Sequence, residues 1–371
     1  MIAFVTGLCF WVALISCIVF LFNQAAFRRA PEFDWEQELP SLSILIPARD
    51  ESEVIENCVR RALDSHGCDF EVIVLDDHSQ DKTATLVEAL AGIDDRVKLI
   101  RSGKLPEGWC GKQFACWQLA ALANNEYLLF IDADVELESD AAARSLAKAV
   151  DEGTGLLSGF PRQLTGTRIE QLLVPQMYLV LLTYLPFVLM RQTGLHAAAA
   201  GCGQFMLCRR GAYQKAGGHQ AIRESMHDGL RLPRAFREAG LRTDVFDASD
   251  IASCRMYEGF EATWQGLAKN AHEGIANPSR IVPFTILMTL AFVLPPVLVI
   301  VNLLYDQSVG VALLATFFSL IPWTIVGWRF NWVGRASLML PVAVTLFLVN
   351  QWQALYRRRR GQRSSWRGRE Y

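Results

Sequence analysis

Asp132 and Asp134 stand two residues apart at the end of an apolar run, Tyr127 to Ile131. With a slight turn of the chain, both carboxylates reach one hard divalent cation, and a diphosphate can complete its shell. Asp76 and Asp77 close a second apolar run, Phe70 to Leu75. A carboxylate there can accept a hydrogen bond from a base N–H such as uracil N3–H, a proton that cytosine lacks. Each pair also has a plainer reading. For the first it is ordinary turn chemistry after a strand, and for the second an Asx turn or a helix N-cap.

Both pairs need a scaffold that carries them to one edge. Between residues 39 and 277 short apolar runs alternate with helical stretches, the pattern of a parallel α/β sheet. Leu42 to Ile46 reads as a buried strand that Pro47 ends, before Asp50-Glu51-Ser52-Glu53 opens a helix with an apolar stripe at Ile55, Cys58, Val59 and Ala62. Phe70 to Leu75, Val97 to Arg101 and Tyr127 to Ile131 read as further strands. In an open parallel sheet, ligands bind beyond the carboxyl ends of the strands, where both acid pairs fall.

The combination of PARDE at Pro47 to Glu51, VLDDHSQD at Val74 to Asp81 and DAD at Asp132 to Asp134 resembles the family 2 glycosyltransferases of GT-A fold. The resemblance implies a Rossmann-like, mostly parallel sheet, a nucleotide-sugar donor, Mn2+ or Mg2+ on Asp132 and Asp134, and inversion at the sugar carbon. It also implies nucleotide contacts from Pro47, Arg49, Glu51, Asp76 and Asp77. LPEGWCGK, Leu105 to Lys112, is similar to a segment of the membrane-bound branch associated with hopanoid and carotenoid glycosylation. There Lys112 can neutralise a phosphate and Trp109 can pack on donor or acceptor; the alternatives are a surface lysine and a core tryptophan. The family's late carboxylate, its catalytic base, matches Asp228 in SMHDGLRLPRAF. The pattern departs in two ways: His227 stands where a second acid is common, and Pro233 falls within the expected helix. A first-turn position for Pro233 would leave Asp228 in the preceding loop. The QxxRW motif of processive polymer synthases is absent, since EATWQGLAKNAHEG offers Trp264 and Gln265 but no Arg-Trp. A long polymer product is therefore not expected.

The chain has 371 residues, 51% hydrophobic and 20% charged, with a net charge of −2. Such a balance points away from nucleic acid and from disorder. The nine cysteines form no CxxC and read as reduced thiols. Residues 1–27 carry an uncharged run of spanning length followed by Arg28 and Arg29, which reads as a retained anchor with the next domain in the cytoplasm. Residues 283–353 hold three more apolar segments: Pro283 to Leu304, Val309 to Trp328 and Ala336 to Trp352, with Trp323, Trp328, Trp332 and Trp352 near their ends. Seven arginines follow Tyr356 in the tail, residues 354–371, and argue for a cytoplasmic end. One of the three segments must then fail to span, and Pro295-Pro296 selects the first. The apolar stretch within 168–190, broken by Pro175 and Pro186, is expected in the interface with its apolar face in lipid; a buried core helix is the alternative.

The expected protein is thus an α/β GT-A transferase at the inner membrane that faces the cytoplasm. It would move a sugar, with UDP as the expected carrier, to a lipid or isoprenoid acceptor. The rival readings are a membrane-linked nucleotidyltransferase, which releases pyrophosphate, and a non-catalytic lipid-binding protein.

Overall fold

The structure is a computed structural model. It describes residues 1–362 apart from 33, 35, 270 and 331–338, together with the backbone of 365–366 and 369–370. Trp332, the start of the segment at Ala336 and the end of the arginine-rich tail lie outside the described residues. The chain divides into two compact units, residues 27–163 with 187–256, and residues 1–26 with 164–186 and 257–371.

In the first unit the strands run as β1 (Leu42–Ala48), β2 (Phe70–Asp76), β3 (Val97–Arg101), β4 (Tyr127–Ile131), β5 (Val135–Leu137), β6 (Leu156–Phe160), β7 (Arg162–Gln163), β8 (Phe205–Arg209), β9 (Thr243–Asp247) and β10 (Ala252–Cys254). Seven of them form one sheet in the order β3-β2-β1-β4-β8-β6-β9. Only β8 runs against the rest, pairing antiparallel with both β4 and β6. A small second sheet has the order β5-β10-β7.

Near-continuous apolar strands mark a sheet covered on both faces. Leu42, Ile44, Ile46, Val72 and Val74 pack on one side with the Ile55–Leu63 and Thr83–Ala91 helices. Leu45, Ile73 and Leu75 pack on the other with the Gly111–Leu122 helix. β1 does not stop at Pro47 as the sequence suggested but continues to Ala48, paired in register with β2. The ladder to β4 ends earlier, at Leu45↔Phe130, so the missing N–H of Pro47 lies beyond the last bonded pair on that side.

In the second unit, three helices among the described residues are long and apolar enough to cross a membrane: Ile2–Ala26, Ile281–Leu304 and Gly310–Arg329. The Pro295-Pro296 pair does not break its helix. A π-helical turn over Thr289–Val293 precedes the Leu294–Leu304 stretch, and the prolines fall in the first turn of that stretch, where a missing N–H costs least. The prolines at 175 and 186 do divide their stretch, into helices Arg168–Leu173, Gln176–Tyr184 and Phe187–Gln192. In the middle helix Tyr178, Leu179 and Leu182 are buried and Met177 is exposed. Its carbonyl end needs donors, and Asn23 Nδ2 donates to Leu182 O and Leu185 O, each at 2.8 Å.

Candidate active site

β1, β2 and β4 end at one edge of the sheet, and the reversed strand β8 begins there, so residues 201–204 arrive beside the acids that follow the parallel strands. Past β4 the chain turns between the two acids, Val135 N–H donating to Asp132 O at 3.1 Å. Ala133 between them is buried in the core.

The acids are tied together by Lys112, in the first turn of the Gly111–Leu122 helix. Its Nζ lies 2.6 Å from Asp132 Oδ1 and 2.9 Å from Asp228 Oδ2. Against the cost of burial, that ammonium holds the Asp228 carboxyl well below the usual carboxylate range. Asp134 goes the other way: burial, then the neighbouring Asp132 charge, push its carboxyl up. Its Oδ1 is buried with no hydrogen-bond partner.

Two crowded carboxylates with an orphaned buried oxygen fit a cation. Among the described residues no group of three or more His, Cys, Asp or Glu side chains could hold a metal.

Asp228 is the first residue of the Asp228–Glu238 helix, not part of a preceding loop, and Pro233 lies inside that helix. The helix survives because the carbonyl that Pro233 cannot serve, Gly229 O, accepts from Gly201 N–H at 2.6 Å. Gly229 N–H donates to Asp228 Oδ1 at 2.7 Å. A Cβ at Gly203 would overlap the Asp228 carboxylate. At its far end the helix is fastened by Arg237, which donates to Thr193 O at 2.7 Å, to Thr243 Oγ1 at 2.8 Å and to Met190 O.

The other predicted residues build the neighbouring wall. Arg49 Nη1 donates to Asp77 O at 2.7 Å, linking the loop after β1 to the end of β2. Glu51 N–H donates to Thr83 Oγ1 at 2.8 Å, and the Glu51 charge contributes to raising the Asp134 carboxyl. Asp76 and Asp77 are both buried. Asp76 accepts from Arg101 at 3.1 Å and from Ser79 N–H at 3.4 Å. Just ahead of the next helix, Asp81 accepts from Thr83 N–H at 2.9 Å. Trp109, Phe114 and Trp117 form an aromatic trio with ring centres 5.4 to 5.8 Å apart.

A buried chain behind Asp132 and Asp134 has no signature in the sequence. Gln163 Nε2 donates to Gln204 Oε1 at 2.7 Å, Gln204 Nε2 donates to Cys254 Sγ at 2.8 Å, and the Cys254 thiol hydrogen-bonds Asp134. These residues come from β7, the turn before β8, and β10. No spacing in the sequence connects them.

An α/β domain with a mostly parallel sheet, paired acids at the strand ends and a buried acid opening a late helix defines a GT-A transferase scaffold. Residues 43–217 match the profile described as glycosyl transferase family 2. It is similar to a 4,4'-diaponeurosporenoate glycosyltransferase of Staphylococcus haemolyticus (strain JCSC1435), 27% identical over 240 residues, 64% of this chain and 62% of that protein. The match therefore spans less than two thirds of that relative's length. The protein of the same description from Staphylococcus aureus (strain USA300) is 27% identical over 264 residues, 70% of this chain and 68% of its own. Among solved structures, a mannosyltransferase from Pyrobaculum calidifontis, in complex with GDP-mannose and Mn2+, superposes with a TM-score of 0.54 at 16% identity, over 94% of this chain and 99% of its own. That likeness establishes the fold.

Proposed function

We propose that this chain transfers a sugar from a nucleoside diphosphate, UDP by expectation, to a hydroxyl or carboxyl group of a lipid or isoprenoid at the cytoplasmic membrane face, with inversion. The observation that carries the reading is the meeting of Lys112 with Asp132 and Asp228, which puts the diphosphate end of the site and the late acid within reach of one ammonium. Asp228 takes the proton of an acceptor hydroxyl as its oxygen attacks the anomeric carbon. The bond from that carbon to the diphosphate breaks, and its electron pair leaves with the nucleoside diphosphate. Asp132 and Asp134 hold the divalent cation, which when bound neutralises the leaving diphosphate as a Lewis acid. Pro47, Arg49, Glu51, Asp76 and Asp77 line the nucleoside side, and Lys112 meets phosphate.

The name of the staphylococcal relatives supports an isoprenoid acid as acceptor. Helices Ile2–Ala26, Ile281–Leu304 and Gly310–Arg329 support membrane anchoring. If these three cross, the family 2 domain and the arginine-rich tail share the cytoplasmic side, which agrees with Arg28, Arg29 and the basic tail.

The test is the thermal stability of the full chain in detergent with Mn2+ and each of UDP, GDP, CDP and ADP. One nucleotide should raise the melting temperature, since a ligand at 100 times its Kd stabilises by about 2.7 kcal/mol. The Asp132→Ala, Asp134→Ala double variant should lose that shift. Folded protein that responds to none of the four would overturn the proposal.

A further inference from the structure

Lys112 holds a position that a simple phosphate clamp would not explain. Its side chain is mostly buried, 19% exposed, and its ammonium is shared between Asp132 and Asp228. Asp134 stands beside them with an orphaned oxygen, and Glu51 adds further negative charge. Lys112 thus bridges two of these acids, on a flexible four-carbon stem that can swing.

Resting on the donor-site reading above, we propose that Lys112 is a two-position cation. In the position described it screens Asp132 and Asp228 from each other and would compete with a bare divalent ion for Asp132. A bound nucleoside diphosphate, more negative than either carboxylate, draws the ammonium onto its phosphates. That movement bares Asp132 for the cation and frees the Asp228 Oδ2 that Lys112 held, while Oδ1 stays on Gly229 N–H. Nucleotide and metal binding are then coupled through one side chain, and by linkage each tightens the other. Lys112 stays a positioning residue in this scheme, acting on the acceptor through Asp228.

The experiment measures binding, not turnover. Free Mn2+ is titrated by electron paramagnetic resonance into the full chain in detergent, with and without UDP or GDP, for wild type, Lys112→Met and Lys112→Arg. Lys112→Met should bind Mn2+ alone more tightly than wild type by about tenfold. Nucleotide should tighten Mn2+ binding to wild type by about tenfold and to Lys112→Met far less. Lys112→Arg, which keeps the charge, should restore weak binding of the bare ion. Lys112→Gln serves as the second variant if the Met form fails to fold. Wild-type binding that Lys112→Met leaves unchanged, with or without nucleotide, would overturn this inference alone. Failure of every protein to bind Mn2+ under any condition would overturn the donor-site reading together with it.

Discussion

On the proposed reading, Asp228 has a different task depending on the acceptor's own acidity. An alcohol must lose its proton as it attacks, whereas a carboxylic acid is already ionised at neutral pH and needs no base. Asp228→Asn should therefore lower transfer to a lipid alcohol by about 10² to 10⁴-fold. Transfer to an isoprenoid acid should fall far less, with nucleotide-induced stabilisation kept in both cases. Radiolabelled transfer assays with the two acceptor classes measure this, and equal loss on both would mean that Asp228 serves the site's shape. Asp132, Asp134, Asp76, Asp77 and Asp228 were legible as candidates because each lies in a local motif at a strand or helix end. Gly203, Gln204 and Cys254 were not, because what they do depends on β8 and β10 returning to the same edge. The shared ammonium was half legible: Lys112 was noticed as a phosphate ligand, but its reach to two acids 20 and 116 positions away is a tertiary fact.

At the level of elements, four prolines sit otherwise than the linear sequence suggests. Pro47 sits past the last pair with β4, Pro233 has its orphaned carbonyl served by Gly201, and Pro295-Pro296 follows a π turn. In each case the rule that proline removes a donor holds, and the surroundings supply what is missing, which a linear sequence does not display. Strands β1 to β4 were readable from their apolar runs, whereas β6, β8 and β9 were hidden in less regular stretches. The Gly218–Ile222 turn offers a test of its own packing. Its His219 is buried, its backbone N–H donates to Tyr213 Oη at 3.0 Å, and its ring nitrogen meets the same oxygen at 2.8 Å. Burial drives the imidazole pKa down to about 3, so the native protein keeps it neutral while the unfolded chain takes up a proton below about pH 6.5. Stability from this group is thus lost as pH falls from about 6.5 towards 3. Melting temperatures from pH 7.5 to pH 5 should fall more steeply for wild type than for His219→Gln; parallel curves would count against a buried neutral ring.

For the whole molecule, the parity of the crossings decides which compartment sees the donor. Among the described helices, Leu340–Arg359 is not one of the three suited to spanning. It carries buried Asn350 and Gln351 and ends in Arg357, Arg358 and Arg359. Asn350 Nδ2 donates to Trp264 O at 2.7 Å, and Trp264 Nε1 donates to Gln353 at 2.6 Å, bonds that hydrocarbon would not replace. The last helix, rather than the proline-bearing one, is therefore the segment we expect not to cross. A reporter fused after the arginine-rich tail should be active only as a cytoplasmic reporter; export of that fusion would reverse the assignment.

The helix that opens at Asp228 closes at Arg237, and an α-helix of this kind is a stiff rod of roughly 15 Å. Its far end is bolted to the carbonyls of Met190 and Thr193, where the chain returns from the apolar stretch through the Phe187–Gln192 helix. A lever of that length carries motion as well as load. The rod thus fastens the carboxylate at one tip to the Phe187–Gln192 helix and the residue after it at the other.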